Sequence, residues 1–179
     1  MSKLLVVNGS YRPNGYTHNA LFQESERLRK QYNINLVSSI SISNSLYACL
    51  HCTKCEKYCQ IDDSFKMYIK LVEESDRIIF GSPVYLDMPS AKMVAFLTRL
   101  NCMADSTGRE FFREKKAHFV AVGYCSGTKT VIRTMMGACE MLGFSFDGRC
   151  TKEFIIKWDD YKIRGGMNDE KPIFVTKEK

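Results

Sequence analysis

Short apolar runs alternate along this chain with helix-length amphipathic stretches, and that alternation narrows the choice of fold more than any other feature. "KLLVV" (Lys3 to Val7) runs into Asn8-Gly9-Ser10, the pattern of a buried strand followed by a turn. Residues 18 to 31 place Leu21, Leu28 and Tyr32 on one helical face, and "INLVSSISI" (Ile34 to Ile42) alternates as a strand does. Asp62-Asp63 can cap a helix with Phe65, Tyr68, Ile69 and Val72 at i, i+3, i+4 and i+7. "RIIFG" (Arg77 to Gly81) reads as a third strand, and Pro89 suits the first turn of a helix carrying Met93, Val94, Leu97 and Leu100. Ala117 to Tyr124 is a fourth strand. Thr128 to Leu142 is a helix with Ile132, Met135, Met136 and Cys139 on its apolar face and Gly143 beyond its end. "FSFDGRC" (Phe144 to Cys150) is assigned as the fifth strand.

Strands that alternate with helices are joined by right-handed crossovers into a parallel sheet covered on both faces. The expected fold is therefore α/β, a doubly wound five-stranded parallel sheet spanning residues 1–150, with a cysteine-rich insertion at 48–61. Residues 151–179 do not fit the pattern. They are read as a tail or arm whose "FIIKW" and "PIFV" segments can form short strands.

A chain of 179 residues, 45% hydrophobic and 26% charged, suits one ordinary domain. No apolar run is long enough to span a bilayer, and "MSKLLVVNGS" lacks the apolar stretch of a secretory signal, so a cytoplasmic location is expected. The net charge of +6 is spread among acidic residues, without a basic run or stripe, which argues against nucleic acid as a partner.

Doubly wound sheets bind ligands at the carboxyl ends of their strands, where strand order reverses. That rule selects the loops after strands one, three and four. The first, "NGSYRPNGYT" (Asn8 to Thr17), offers hydroxyls at Ser10 and Thr17, the Asn14 amide, Arg12 and backbone N–H groups ahead of a helix, a set that suits a phosphate monoester. It matches neither the Walker loop nor the dinucleotide fingerprint, and an ordinary polar turn is the competing reading. The second, "GSPVYLDMPS", sets apolar groups where loops are normally polar; a flat aromatic ligand or a subunit interface explains this. The third, "GYCSGT", can close over the other side of the same ligand.

"GSYRPNGYT" and "IIFGSPVY", followed by a Pro-Ser-Ala helix start, resemble the flavodoxin-like NADPH-dependent FMN reductase family over about residues 1–150. With the clustered cysteines, the chain most resembles that family's iron–sulfur flavoprotein branch. The resemblance implies FMN. Ser10, Arg12, Asn14 and Thr17 would hold its phosphate, with Gly15 and Tyr16 beside them. Tyr16 stands where the family more often has a polar residue. Pro83, Val84, Tyr85 and Leu86 would line one edge of the isoalloxazine, and Gly123, Tyr124, Cys125, Ser126 and Gly127 would approach its other side.

Four of the chain's 8 cysteines fall in "ACLHCTKCEKYC", at C-x2-C-x2-C-x3-C spacing. Thiols in a reducing compartment argue for metal or redox chemistry rather than a disulfide framework. Repeated two-residue gaps wrap thiolates around one corner of a cubane cluster. Cys49, Cys52 and Cys55 are accordingly assigned to a 4Fe–4S cluster, with Cys59 the fourth ligand and Cys102, Cys125 or Cys150 the remote alternatives. Cys139, on an apolar helix face, reads as core, and His51 as a bystander. Zinc and a loop of free thiols are the competing readings. The last gap is shorter than is usual in the branch the chain resembles.

The expected function is an FMN-dependent oxidoreductase or electron-transfer protein that couples FMN to a 4Fe–4S cluster. A plain NAD(P)H-dependent FMN or quinone reductase without a cluster is the first rival, and a non-enzymatic redox carrier the second. The cofactor carries the chemistry, so no acid–base residue is nominated. Expected partners are NAD(P)H or ferredoxin as donor and further copies of the chain, as a homodimer or homotetramer, with no membrane.

Overall fold

The computed structural model describes residues 2–42, 44–55, 59–124, 126–148, 150–156 and 174–175. In chain order the elements are β1 (Lys3–Asn8), α1 (Tyr16–Tyr32), β2 (Leu36–Ser41), α2 (Phe65–Glu74), β3 (Arg77–Tyr85) and β4 (Met88–Pro89). They continue with α3 (Ala91–Thr107), α4 (Glu110–Arg113), β5 (Lys116–Gly123), α5 (Thr128–Leu142), β6 (Thr151–Ile156) and β7 (Phe174–Val175). The sheet order is β2-β1-β3-β5-β6-β7, and β4 pairs with β3 off this path. β2, β1, β3, β5 and β6 run parallel, and β7 adds antiparallel to β6. This is the doubly wound α/β sheet expected from the alternation, and its order reverses between β1 and β3.

Period-two alternation in the central strands sends side chains into two separate cores. Leu5, Val7, Ile78, Phe80, Phe119 and Ala121 face α2, α3 and α5. Leu4, Val6, Ile79, Val120 and Val122 face α1, which contributes Ala20, Leu21 and Leu28. On α2, Phe65, Tyr68, Ile69 and Val72 are all buried, as their helical spacing demands. On α3, Met93, Leu97 and Leu100 are buried, but Val94 is exposed.

Three local assignments change. The fifth parallel strand, β6, comes from Thr151–Ile156, which pairs with β5, whereas Phe144 to Cys150 makes a single bridge among the described residues, Ser145 to Lys116. Phe144 and Phe146 alternate because the connection packs them against Phe80, Phe112 and Phe119, so an extended linker imitates a strand. The rest of the segment read as a tail, residues 157–173 and 176–179, lies outside the described residues. β3 continues past Gly81 to Tyr85 and doubles back through Leu86 (φ 50°) and Asp87 (φ 59°) into β4. Two central residues of positive φ are what a two-residue hairpin loop requires. Pro89 is thus in β4, paired with Val84, and Ser90 caps α3 by accepting from the Met93 N–H at 3.2 Å.

Among the described residues, no helix is long and apolar enough to cross a membrane.

Candidate functional site

The site forms where β1 and β3 release the chain at their carboxyl ends. Gly9 donates its N–H to the Gly81 carbonyl at 2.8 Å, and its own carbonyl accepts from Ser90 Oγ at 2.6 Å. Ser82 Oγ accepts from the Ser90 N–H at 2.9 Å. A Cβ on Gly9 would sit 3.0 Å from Met93 Cβ and 3.1 Å from the Gly81 carbonyl oxygen, so the first loop lies flat on β3 and α3. Beyond it, Asn8 Oδ1 accepts from the Ser10 N–H and Ser10 Oγ from the Arg12 N–H, at 3.0 and 3.1 Å. The loop therefore curls back on itself just before α1.

At the start of α1, Gly15 brings no side-chain cap and the first turn contains no acidic residue. First-turn N–H groups have no intrahelical acceptor, and the helix dipole there favours negative charge. Ser10 and Thr17 are buried beside this turn, while Arg12 and Asn14 are exposed on the loop. Asn8 Nδ2 is buried with no hydrogen-bond partner among the described residues. An orphaned buried amide is costly. An anion cradled at this helix start fits that donor set, as the phosphate of FMN would. Lys92, from α3, donates to the Ile42 carbonyl at 2.8 Å and stands 4.6 Å above the Tyr11 ring. Burial lowers the pKa of its ammonium group.

On the same side of the sheet, the Tyr11 and Tyr85 rings lie 6.5 Å apart with 41° between their planes. Both are exposed, and Leu86 at the hairpin tip is 94% exposed. Aromatic and apolar groups held open by a strained turn offer a face for a flat ligand. The third loop closes against this hairpin. Ser126 Oγ donates to Asp87 Oδ1 at 3.4 Å, and Val84 packs against Gly123 and Gly127. Gly127 takes φ 80° where α5 begins.

Ser10, Gly15, Tyr16 and Thr17 are thus gathered at the start of α1; Pro83, Val84 and Tyr85 form the end of β3, with Leu86 in its turn. Gly123, Tyr124, Ser126 and Gly127 follow β5, and Cys125 lies outside the described residues. Sequence reasoning did not single out Asn8, Asp87 or Lys92. The one available signal was Asn8, a polar residue ending an apolar strand.

The cysteine segment joins β2 to α2 at the same carboxyl edge, since Ile42 donates its N–H to the Asn8 carbonyl at 3.0 Å. Cys49 and Cys52 are exposed free thiols. His51 (φ 48°) and Thr53 (φ 54°) bend the chain between and after them, and the His51 N–H points at Cys49 Sγ, 3.4 Å away. Cys55 is half-buried and disulfide-bonded. Cys59 is buried in the core under α2 and α3. With Cys55 reduced, four thiols would be the right donor chemistry for an iron–sulfur cluster. In this conformation they do not converge: among the described residues, no three His, Cys, Asp or Glu side chains are grouped to hold a metal ion. Of the remote alternatives, Cys150 is buried and burial raises its pKa; the Cys102 side chain and Cys125 lie outside the description. Cys139 is a core residue whose thiol pKa burial raises strongly.

A buried ion pair closes the cysteine segment. Arg99 of α3 and Asp63 have side-chain exposures of 0% and 2%. Arg99 Nη1 and Nη2 donate to the two Asp63 oxygens at 2.6 and 3.1 Å. Burial alone would raise the Asp63 pKa. The Arg99 hydrogen bond, followed by the Phe65 and Tyr47 N–H groups, outweighs that and leaves it lowered.

The sequence model of the NADPH-dependent FMN reductase family matches residues 2–146. An iron–sulfur flavoprotein of Clostridioides difficile is 30% identical over 106 residues, covering 57% of this chain and 47% of that protein. One from Archaeoglobus fulgidus is 28% identical over 133 residues, covering 68% and 66%. The chain spans about half the length of the first of these relatives. Among solved structures, RosB with a bound 8-demethyl-8-formylriboflavin-5'-phosphate intermediate superposes with a TM-score of 0.69 at 17% identity, covering 88% of this chain and 66% of that one. The apo form of the NADH:FMN oxidoreductase EMOB gives 0.63 at 12%, covering 91% and 79%. Those two likenesses establish the fold, and the match over residues 2–146 establishes more: the chain belongs to the NADPH-dependent FMN reductase family.

Proposed function

We propose that this chain binds FMN at the carboxyl edge of β1, β3 and β5 and acts as an oxidoreductase that takes reducing equivalents from a nicotinamide or protein donor. The observation that carries the reading is the uncapped start of α1 beside the orphaned Asn8 amide, which suits the FMN phosphate. When bound, FMN supplies hydride and single-electron transfer. The chain's own residues position it. Ser10, Thr17 and the first-turn N–H groups hold the anion, with Arg12 and Asn14 reaching it from the loop. Tyr11, Tyr85 and Leu86 cover one side of the ring system, and Gly123 to Gly127 the other. Replacing Arg12 by Ala and Thr17 by Val together should weaken FMN much more than riboflavin, which lacks the phosphate. Equal loss for both would refute the assignment.

The finer part of the proposal is that the cysteine segment carries a 4Fe–4S cluster on Cys49, Cys52, Cys55 and Cys59, close enough to the flavin edge to exchange electrons with it. Motif spacing and the iron–sulfur flavoproteins among the relatives support this. It requires the Cys55 disulfide to be reduced and Cys59 to turn out of the core. Anaerobic reconstitution should yield about four irons per chain, lost in C52S with FMN retained. The Cys55 disulfide and the core position of Cys59 favour a second reading, a plain flavin reductase whose segment works through thiols. Failure to load iron selects it. An apolar groove lined by Pro89, Val94, Leu97, Ala138 and Met141 supports assembly with further copies of the chain, which light scattering tests.

A further inference from the structure

The cysteine segment is fastened at both ends by one buried ion pair. Tyr47 precedes the first thiol and Asp63 follows the last, with 16 positions separating them. Tyr47 donates its N–H to Asp63 Oδ2 at 3.1 Å, and its carbonyl accepts from Arg99 Nη1 at 3.1 Å. Asp63 Oδ1 also accepts from the Phe65 N–H at 3.0 Å, which starts α2. The Arg99 guanidinium stands 4.4 Å from the centre of the Phe65 ring. One arginine from α3 thus grips the entry residue Tyr47, the exit residue Asp63 and the following helix.

A buried pair of this kind is weak evidence for stability, because apolar groups of equal volume often stabilise as well. What apolar groups cannot supply is direction. The forked guanidinium fixes the register of two backbone segments that no strand pairing connects. We propose that Arg99 and Asp63 are positioning residues for the cysteine segment, holding its ends in place so that the thiols between them can change partners while α2 and the sheet stay folded. The proposal rests on reading the segment as a redox element.

The test uses the FMN-loaded, iron-free protein under reductant. R99M alone leaves a buried carboxylate unpaired and is liable to misfold. The informative variants are R99M/D63N, which removes both charges, and R99K, which keeps the charge but loses the fork. Trypsin cleavage after Lys54 and alkylation of Cys59 report the segment; alkylation of Cys139 in α5 reports the fold. R99M/D63N should raise both segment rates at least tenfold with Cys139 unchanged, and R99K should fall between it and wild type. If Cys59 and Cys139 rise together, the pair only stabilises the fold and the proposal fails. It fails equally if the segment rates do not move. Should R99M/D63N not fold, the same ratio in R99K decides. Iron uptake is read separately on the same proteins. A wild type that loads no iron defeats the cluster reading, and the protease and alkylation rates still decide the role of the pair.

Discussion

Gly127 is the position at which a single methyl group should cost the site most. It sits at φ 80°, a left-handed conformation that costs an L side chain about 1–2 kcal/mol. A Cβ there would also collide with Asp87 Oδ1, lie 2.7 Å from Val84 Cγ1 and 3.1 Å from Asp87 Cα. The Asp87 carboxylate is at a hairpin tip and can swing away, but Val84 is β-branched and held in β3, so the hairpin itself must shift. Overpacking of this sort costs about 1–3 kcal/mol. Gly127→Ala should therefore lose about 2–5 kcal/mol in all, read as a lowered denaturant midpoint at unchanged slope. Moving the hairpin also moves Tyr85 and Leu86, so FMN affinity should fall about tenfold, equivalent to about 1.4 kcal/mol. Adding Asp87→Gly removes the carboxylate and relieves the positive φ of residue 87. The double variant should recover about 1 kcal/mol, a strain-sized part of the loss, and not the remainder, because Val84 still blocks the methyl. A Gly127→Ala protein within about 0.5 kcal/mol of wild type, with FMN affinity intact, would refute the close approach of the third loop to the hairpin.

His118 is fully buried in β5, with Arg77 Nη1 3.3 Å from its Nε2, and its pKa is lowered to about 4, first by burial and then by the Arg77 cation, against an opposing pull from Asp147. An unfolded histidine titrates near 6.5, so stability should fall as pH drops from about 6.5 to about 4, by about 3 kcal/mol in total, and His118→Gln should flatten that slope in denaturant titrations. Brief alkylation of the native protein should label Cys49 and Cys52 and spare Cys139 and Cys150, read by peptide mass spectrometry; labelling of Cys139 in native protein would contradict its burial. Gly81→Ala would drive a Cβ to 2.5 Å from Leu21 Cδ2 and should cost about 1–3 kcal/mol, with Gly81→Ala/Leu21→Ala costing less than the sum of the two single changes.

The parallel sheet was legible because its central strands are buried on both faces and are written as unbroken apolar runs. Once the sheet was drawn, the switch-point rule selected the loops after β1, β3 and β5 without reference to any motif. What could not be read lies where similar sequence serves different packing. Phe144 and Phe146 alternate like a strand yet plug a linker, while "TKEFII" looks too polar for a sheet and supplies its fifth parallel strand. Arg99 shares α3 with a run of apolar residues and gives no local hint of burial; its partner lies 36 residues earlier, on the far side of α2, β3 and β4 in the chain. Leu86 and Asp87 are poor choices for a two-residue turn by composition, and the hairpin they form is imposed by the neighbouring strands. The thiol spacing was plain, but spacing carries no information on whether Cys59 points toward its companions or into the core.

The serine at the start of α3 has a mechanical meaning. Ser90 Oγ donates to the Gly9 carbonyl while accepting from Met93, and the Gly9 N–H is already held by Gly81. Both backbone groups of Gly9 are therefore committed, and to the same strand–hairpin–helix unit that carries Tyr85. Where the first loop goes, the β3–β4 hairpin must go with it. A ligand entering such a cradle has little left to order, so the entropy of arranging these loops is spent during folding rather than at binding. Loosening Ser90 would reverse that order: the empty site would relax, and the ligand would have to rebuild it each time it bound.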